Sequence, residues 1–309
     1  MAASSNDDFS LNFLEIFTLE EYKKILEEHN VTEKDDSESI KKAWIKHRLN
    51  AGILNLGDDP NTYKKDKAVW NKHLPLHAEK LNKMIGGGFQ SEKIYLIYGE
   101  FATGKSQIVH HSCVSLYKQY HSTNEKVKSL FLDTEDTFRP KRIKQISESY
   151  GYRGSNVLKT VQVVKISSTK MMDLLLSKIA NGEGKSSFGL LVVDSLTNYV
   201  RADFADEEKS SFSVKKSLKK IMELLKQIHE TYSIPILLTS QVTPRRTSKI
   251  DTKFTVKPTM EYLINEYVDD TLFLYKGRRG ERHALLFNSD DLAEDDVKFL
   301  ITDDGIKDI

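Results

Sequence analysis

Gly99, Gly104, Lys105 and Ser106 stand at the spacing G-x-x-x-x-G-K-S within IYLIYGEFATGKS, residues Ile94 to Ser106. Residues of these types at this spacing bind phosphate. The glycines let the backbone turn with its N–H groups facing inward, so that Glu100, Phe101, Ala102 and Thr103 and the positive end of the next helix cradle a phosphate chain. Lys105 reaches the outer phosphates, the Ser106 hydroxyl is a ligand for Mg²⁺, and Gln107 continues the helix. The carboxylates that complete such chemistry end two apolar runs. LLVVDS puts Asp194 at a strand tip, where it can orient Mg²⁺ through water, and LFLDTEDTFRP presents Asp133, Glu135 and Asp136. One of those three can polarise a water for in-line attack on a terminal phosphate, although three acids at a strand end also suit a solvated turn. ILLTSQV ends in Gln241, an uncharged group able to hydrogen-bond a terminal phosphate and move once it has left. These residues imply an ATP·Mg²⁺ site in which Lys105, one of the three acids after the LFLD run and Gln241 take the catalytic roles.

Strands and helices must alternate to bring those positions together. Ile94, Leu96 and Ile97 read as a buried strand and Gln107 to Tyr120 as the helix after it. Further strands are expected at Ser129–Asp133, Val157–Ile166, Leu190–Asp194 and Ile234–Leu238, with helices at Arg139–Tyr150, Met171–Ala180 and Val214–Tyr232. Apolar strands separated by helices mean a mostly parallel sheet covered on both faces, binding its ligand at the carboxyl ends of the strands. From Val268 the rhythm changes, and VDDTLFLY, KGRRGER, HALLFN and VKFLIT read as antiparallel strands closing the sheet's edge. The fold class is α/β, a phosphate-loop ATPase core over residues 75–309.

Residues 1–74 are expected to form a small helical region with a linker, either a small helical domain or a docking segment. Phe13, Ile16, Phe17, Leu19, Tyr22, Ile25 and Leu26 recur at near-helical spacing, and Thr18 with Glu21 makes a capping box. A second helix is expected from Ser37 to Ala51, carrying Lys41, Lys42, Lys46, His47 and Arg48 on one side. That face is either solvated or a DNA contact. NLGDDPNTYKKDK follows as a polar linker.

Over 309 residues the net charge is +1, so partners cannot be read from charge as a whole. The one cysteine, Cys113, has no partner for an internal disulfide and suits a small buried thiol. MAASSNDDF lacks the regions of a signal peptide, and no apolar run is long enough to span a membrane. A soluble, cytoplasmic protein is expected, or a nuclear one in a eukaryote, with no membrane partner. Charge is concentrated instead between Val242 and Pro258. There Arg245, Arg246, Lys249, Lys253 and Lys257 face a single Asp251, a net +4 in 17 residues. A basic loop at the sheet's carboxyl edge can neutralise nucleic-acid phosphates, and Phe254 can stack on a base. A disordered, solvated loop is the competing reading.

GEFATGKSQ, LFLDTEDTFRPKRI, LLVVDSLTNYVRADF, PILLTSQV, FLITDDGIKD and the approach LNKMIGGGFQSEKIYLIYGE resemble the RadA branch of the RecA-type strand-exchange ATPases, archaeal and eukaryotic. The resemblance covers residues 75–309 and implies a RecA-like core. By motif it implies that Glu135 activates water and that Asp194 orients Mg²⁺. It also implies that Gln241 couples the terminal phosphate to a DNA loop and that Arg142 and Gln145 flank the adenine. Val242–Pro258 would be the second DNA loop and Arg201 to about Phe212 the first.

Departures from the family pattern refine this. The recombinases carry a helix-hairpin-helix domain with closely spaced glycines, whereas only Gly52 and Gly57 precede Gly86. They polymerise through a Phe-x-x-Ala segment, yet none of the 14 phenylalanines has alanine at the third following position. The first DNA loop, RADFADEEKSSF, is acidic and lacks Gly-Arg-Gly, and Thr259, Met260, Glu261 and Tyr262 stand where a glycine pair follows the second. In the segment that caps a neighbour's ATP, Asn288, Ser289, Asp290, Leu292 and Ala293 replace the usual residues. The expectation is a RadA paralogue, a weak DNA-dependent ATPase that binds ATP, Mg²⁺ and single-stranded DNA. It would assist recombinational repair beside a main RadA-type recombinase or another paralogue. The alternatives are an autonomous recombinase and, from another class, a RecA-fold signalling ATPase or kinase without DNA.

Overall fold

The computed structural model describes residues 73–122, 127–182, 188–206, 210–244 and 256–309. The helices, linker and basic face expected in the first 72 residues lie outside them, as do Arg245, Arg246, Lys249, Lys253 and Phe254.

β1 (Ile94–Gly99), β4 (Phe188–Asp194) and β5 (Ile236–Ser240) are mainly apolar up to their carboxyl ends, and every residue in them is buried. That is the signature of parallel strands covered on both faces. They form the middle of a nine-stranded sheet. Outward on one side lie β2 (Lys128–Asp133) and β3 (Val161–Lys165). On the other lie β8 (Asp270–Lys276), β9 (Arg282–Phe287), β10 (Asp295–Thr302) and β11 (Gly305–Asp308). The strand order is β3-β2-β4-β5-β1-β8-β9-β10-β11. A separate hairpin, β6 (Val242–Pro244) with β7 (Val256–Pro258), follows β5.

Eight helices connect these strands among the described residues: α1 (Glu79–Met84), α2 (Lys105–Tyr120), α3 (Pro140–Ser149), α4 (Gly154–Leu158), α5 (Thr169–Ala180), α6 (Asn198–Ala205), α7 (Ser211–Tyr232) and α8 (Glu261–Ile264). α2 packs across β1, β5, β4 and β2, and α5 lies against α7. In α7 the residues Val214, Leu218, Ile221, Met222, Leu225 and Ile228 are buried, each contributing about 1.5–3 kcal/mol of transfer free energy. Helices α5 and α7 each start at a serine whose hydroxyl accepts a backbone amide: Ser168 from Met171 in α5 and Ser210 from Ser213 in α7.

Register brings the chemistry to one edge. β2 and β4 align Asp133 with Asp194, while β1 and β5 align Tyr98 with Ser240. Gly99, Asp133, Asp194 and Gln241 are therefore all at the carboxyl edge of parallel strands.

The sheet is mostly parallel with an antiparallel margin, as the sequence pattern implies, but three segments differ in detail. Val157 and Leu158 end the short helix α4 instead of starting a strand, because Val157 is buried there and Gly154 lets α4 approach α3. A Cβ at Gly154 would sit 2.7 Å from the Lys144 Cα. β8 pairs parallel to β1 and antiparallel only to β9, and KGRRGER forms the turn between β8 and β9 and starts β9. Much of the stretch from Arg201 to Phe212 is helical, since α6 runs through Ala205 and Phe212 lies in α7.

Candidate functional site

The phosphate loop leaves β1 at Gly99, and backbone crowding decides which residues can form it. A Cβ on Gly99 would lie 2.2 Å from the Leu274 carbonyl oxygen of β8, so only glycine fits. Gly104, the residue before α2, has φ 113°, a left-handed conformation that favours glycine. Between them the exposed Glu100, Phe101 and Ala102 lead to buried Thr103, whose hydroxyl donates to the Glu100 carbonyl at 2.9 Å. Lys105 Nζ donates to the carbonyls of Gly99 and Glu100 at 2.8 and 2.9 Å. Burial pulls the Lys105 pKa below its ordinary value, against the favourable charges of Asp194 and Glu135. Two carboxylates from separate strands thus act on the lysine at the mouth of the loop.

Asp194, 2% exposed, accepts hydrogen bonds from the hydroxyls of Thr137 and Thr239. It and the half-buried Ser106 offer oxygen donors only. That suits Mg²⁺, which is held by one or two protein oxygens together with substrate phosphates and water. The three acids after β2 separate into three roles. The Asp133 carboxylate is consumed by its own loop, accepting the amides of Glu135, Thr137 and Phe138 at 3.0–3.2 Å. Asp136 is exposed and pairs with Lys165 at 3.1 Å. Only Glu135 turns toward the other strand ends, where its Oε1 accepts from Ser195 Oγ and Gln241 Nε2, both at 2.6 Å.

Gln241 extends this chain outward. Its Oε1 accepts from the Arg201 guanidinium of α6, and its carbonyl accepts from the Thr259 amide at 3.1 Å just beyond β7. Glu135 is thereby hydrogen-bonded to the base of the β6–β7 hairpin, whose two strands are joined in sequence by residues 245–255. Lys257 lies in that hairpin opposite Thr243. Ser195 and Arg201 were not singled out from sequence for this network. The available signal was a hydroxyl directly after a strand-end carboxylate and an arginine in the helix that follows.

Arg142 and Gln145 sit apart from this network. The Arg142 guanidinium donates to Gln107 Oε1, to the Asp303 carbonyl at 2.8 Å and to the Thr302 carbonyl, and Gln145 Nε2 reaches Asp303 Oδ1 at 3.2 Å. They tie α2 and α3 to the turn between β10 and β11. His110, 1% exposed, ties the Glu135 loop to α2, because its Nε2 accepts the Arg139 amide at 3.0 Å and its Nδ1 faces the Ser106 carbonyl. Cys113 is buried, and burial pushes its thiol up to about 12, which makes it unreactive.

Comparison with known proteins covers the same elements. A Rad51 family model matches residues 73–309. The chain is 30% identical to DNA repair protein RAD51 homolog B of Zea mays over 241 residues, 76% of this chain and 69% of that one. It is 31% identical to DNA repair protein RAD51 of Mycosarcoma maydis over 236 residues, covering 75% and 68%. Meiotic recombination protein DLH1 of Candida albicans is 29% identical over 238 residues, 76% and 73%. Because the family match runs through every described element, from the approach to β1 to the end of β11, the chain belongs to the Rad51 family.

Proposed function

We propose that the protein is an ATP·Mg²⁺- and single-stranded-DNA-binding member of this family that assists recombinational DNA repair beside a main recombinase. The observation that carries this reading is the hydrogen bond from Gln241 to Glu135. It joins the carboxylate beside the phosphate loop to the base of a hairpin whose connecting segment holds Arg245, Arg246, Lys249 and Lys253. Glycine-framed amides and Lys105 hold the phosphates, with Gln107 next to them, and Ser106 and Asp194 would hold Mg²⁺, which would supply neutralisation of charge on the phosphoryl oxygens. Glu135 takes the proton side of the reaction by polarising water. DNA phosphates on the basic loop, with Phe254 against a base, shift the hairpin, and Gln241 carries that shift to Glu135. A helper role instead of autonomous strand exchange is supported by the missing Phe-x-x-Ala segment. The relatives named for DNA repair support a nuclear site of action in a eukaryotic cell.

The test is a thermal-shift titration followed by ATPase assays with and without oligo(dT). ATP with Mg²⁺ at a hundredfold excess over Kd should stabilise the protein by about 2.7 kcal/mol. Lys105→Ala should lose that stabilisation, and Glu135→Gln should keep it while turnover falls. Wild-type protein unmoved by ATP and Mg²⁺ would overturn the nucleotide reading. Regular ATP-dependent filaments of this protein alone on single-stranded DNA would instead favour an autonomous recombinase.

A further inference from the structure

The two hydrogen-bond donors to Glu135 differ in how firmly they are themselves held. Ser195 Oγ and Gln241 Nε2 both reach Oε1 at 2.6 Å, and among the described residues no donor meets Oε2. A carboxylate held through one oxygen keeps the other for a water, so whatever anchors Oε1 decides where Oε2 points. Gln241 is the looser anchor. It is half-buried at the base of the β6–β7 hairpin, and Arg201 and Thr259 draw on its side-chain and main-chain oxygens.

Ser195 is fixed on every side. It is 1% exposed and stands directly after Asp194, the last residue of β4. Its backbone closes a ring with Thr134, the residue before Glu135. The Ser195 amide donates to the Thr134 hydroxyl at 2.9 Å, and that hydroxyl donates to the Ser195 carbonyl at 2.8 Å. The Thr134 amide donates to the Asp194 carbonyl at 2.9 Å, and Asn198 Nδ2 of α6 donates to the Thr134 carbonyl at 2.7 Å. On the far side the Leu196 amide donates to the Thr239 carbonyl of β5 at 2.9 Å. Each of these bonds uses the Ser195 backbone or a neighbour. The turn after β4 therefore does not need the Ser195 hydroxyl, whose partner is Glu135.

The neighbouring carboxylate is held from the same elements. Both oxygens of Asp194 accept hydroxyls, one from Thr137 in the Glu135 loop and one from Thr239 in β5. We propose that Ser195 is a positioning residue: its hydroxyl pins Glu135 Oε1 beside Asp194 and so aims Oε2 at the attacking water. Gln241 adds only the part of that alignment that follows the hairpin. The two donors thereby divide the work, with Ser195 setting turnover as such and Gln241 its dependence on DNA. A small shift of a water-polarising group costs much of its effect, which is why a rigid donor matters there. The inference rests on the reading above in which Glu135 polarises water, and adds the residue that holds it.

The experiment is steady-state ATP hydrolysis by the full-length protein with Mg²⁺, with and without oligo(dT). The melting temperature of each variant reports folding, and its shift with ATP reports binding. Ser195→Ala should lower kcat roughly 10- to 150-fold, the rate equivalent of one hydrogen bond to a charged group, with KM and the ATP-induced shift unchanged. The ratio of turnover with and without oligo(dT) should persist in it, whereas Gln241→Ala loses that ratio. Ser195→Cys, close in size but a weaker donor, should fall between wild type and alanine, and it carries the test if the alanine variant does not fold. In a Glu135→Gln background Ser195→Ala should cost nothing further, since no carboxylate is left to aim. A folded Ser195→Ala that turns over like wild type overturns the proposal. So does an equal loss in both backgrounds, which would mark a route other than Glu135, and so does a lost ATP-induced shift, which would assign Ser195 to binding. These results leave the reading of Glu135 standing. If Glu135→Gln itself turns over like wild type, that reading fails and this one with it.

Discussion

Glu135 Oε1 receives hydrogen bonds from Ser195 and Gln241, and Gln241 in turn accepts from Arg201. Both donors fix the orientation of the Glu135 carboxylate at the strand ends. Gln241 is the member of this network that also touches the hairpin, so Gln241→Ala should leave ATP-induced stabilisation intact. It should remove most of the rise in ATPase rate caused by single-stranded DNA, read as the ratio of turnover with and without oligo(dT). An unchanged ratio would show that the hairpin communicates by another route. Gly99 offers a steric counterpart. A Cβ 2.2 Å from the Leu274 carbonyl must push β8 away from β1, so Gly99→Ala should lower stability by about 2 kcal/mol or more and weaken ATP binding with it. Urea denaturation with and without ATP and Mg²⁺ separates the two effects.

At the level of elements, the seam between β1 and β8 is closed at its amino end by a buried charge cluster. Lys93 Nζ lies 3.1 Å from the carboxylates of Asp270 and Asp291, and Asp270 is fully buried. Burial works against the Lys93 ammonium, but Asp270 and then Asp291 outweigh it and hold its pKa above the ordinary value. A raised folded-state pKa means that this stabilisation is complete at neutral pH and is lost only in alkali, as pH rises through the folded value. Lys93→Met should cost about 3–5 kcal/mol because Asp270 is left as an uncompensated buried charge, and Asp270→Leu added to it should recover most of the loss. Equal stability of the single and double variants in urea would refute this. Asp291 belongs to the segment Asn288–Glu294, so the pair also anchors the stretch in which the family's cap residues differ.

For the molecule as a whole, two buried histidines set the acid limit. His110 Nε2 accepts the Arg139 amide, and His111 Nδ1 accepts the Ile306 amide of β11 at 3.1 Å, while His111 Nε2 meets the Tyr150 hydroxyl at 2.8 Å. Protonating either accepting nitrogen would expel a backbone N–H. Burial lowers both pKa values, that of His111 to about 3. The unfolded chain takes up these protons below about pH 6.5 and the folded chain does not. Stability should therefore be full above pH 6.5 and fall beneath it by about 1.4 kcal/mol per pH unit for each histidine that stays neutral. Thermal melts between pH 7 and 5 measure the slope. His111→Gln should flatten it, and a slope unaffected by the substitution would place the titration elsewhere.

The glycine turn from Gly99 to Gly104 and the strand end at Asp194 were legible from spacing alone, because such a turn is built from contiguous backbone and Asp194 ends an apolar run. The parallel core was legible for a related reason: strands buried on both faces leave an unbroken apolar run. Only the tertiary structure separated Asp133, Glu135 and Asp136. Their sequence positions are equivalent, and the deciding partners are the amides of their own loop, Ser195 and Gln241 from neighbouring strands, and Lys165 at the end of β3. The same limit explains β8, whose sequence does not reveal that its neighbour is β1, and α6, which forms where an acidic loop was expected. Local pattern determines which residues fold into strands and turns. Contacts across 40 to 106 residues, such as Arg201 to Gln241 and Gln241 to Glu135, exist only once the sheet has set its order and register.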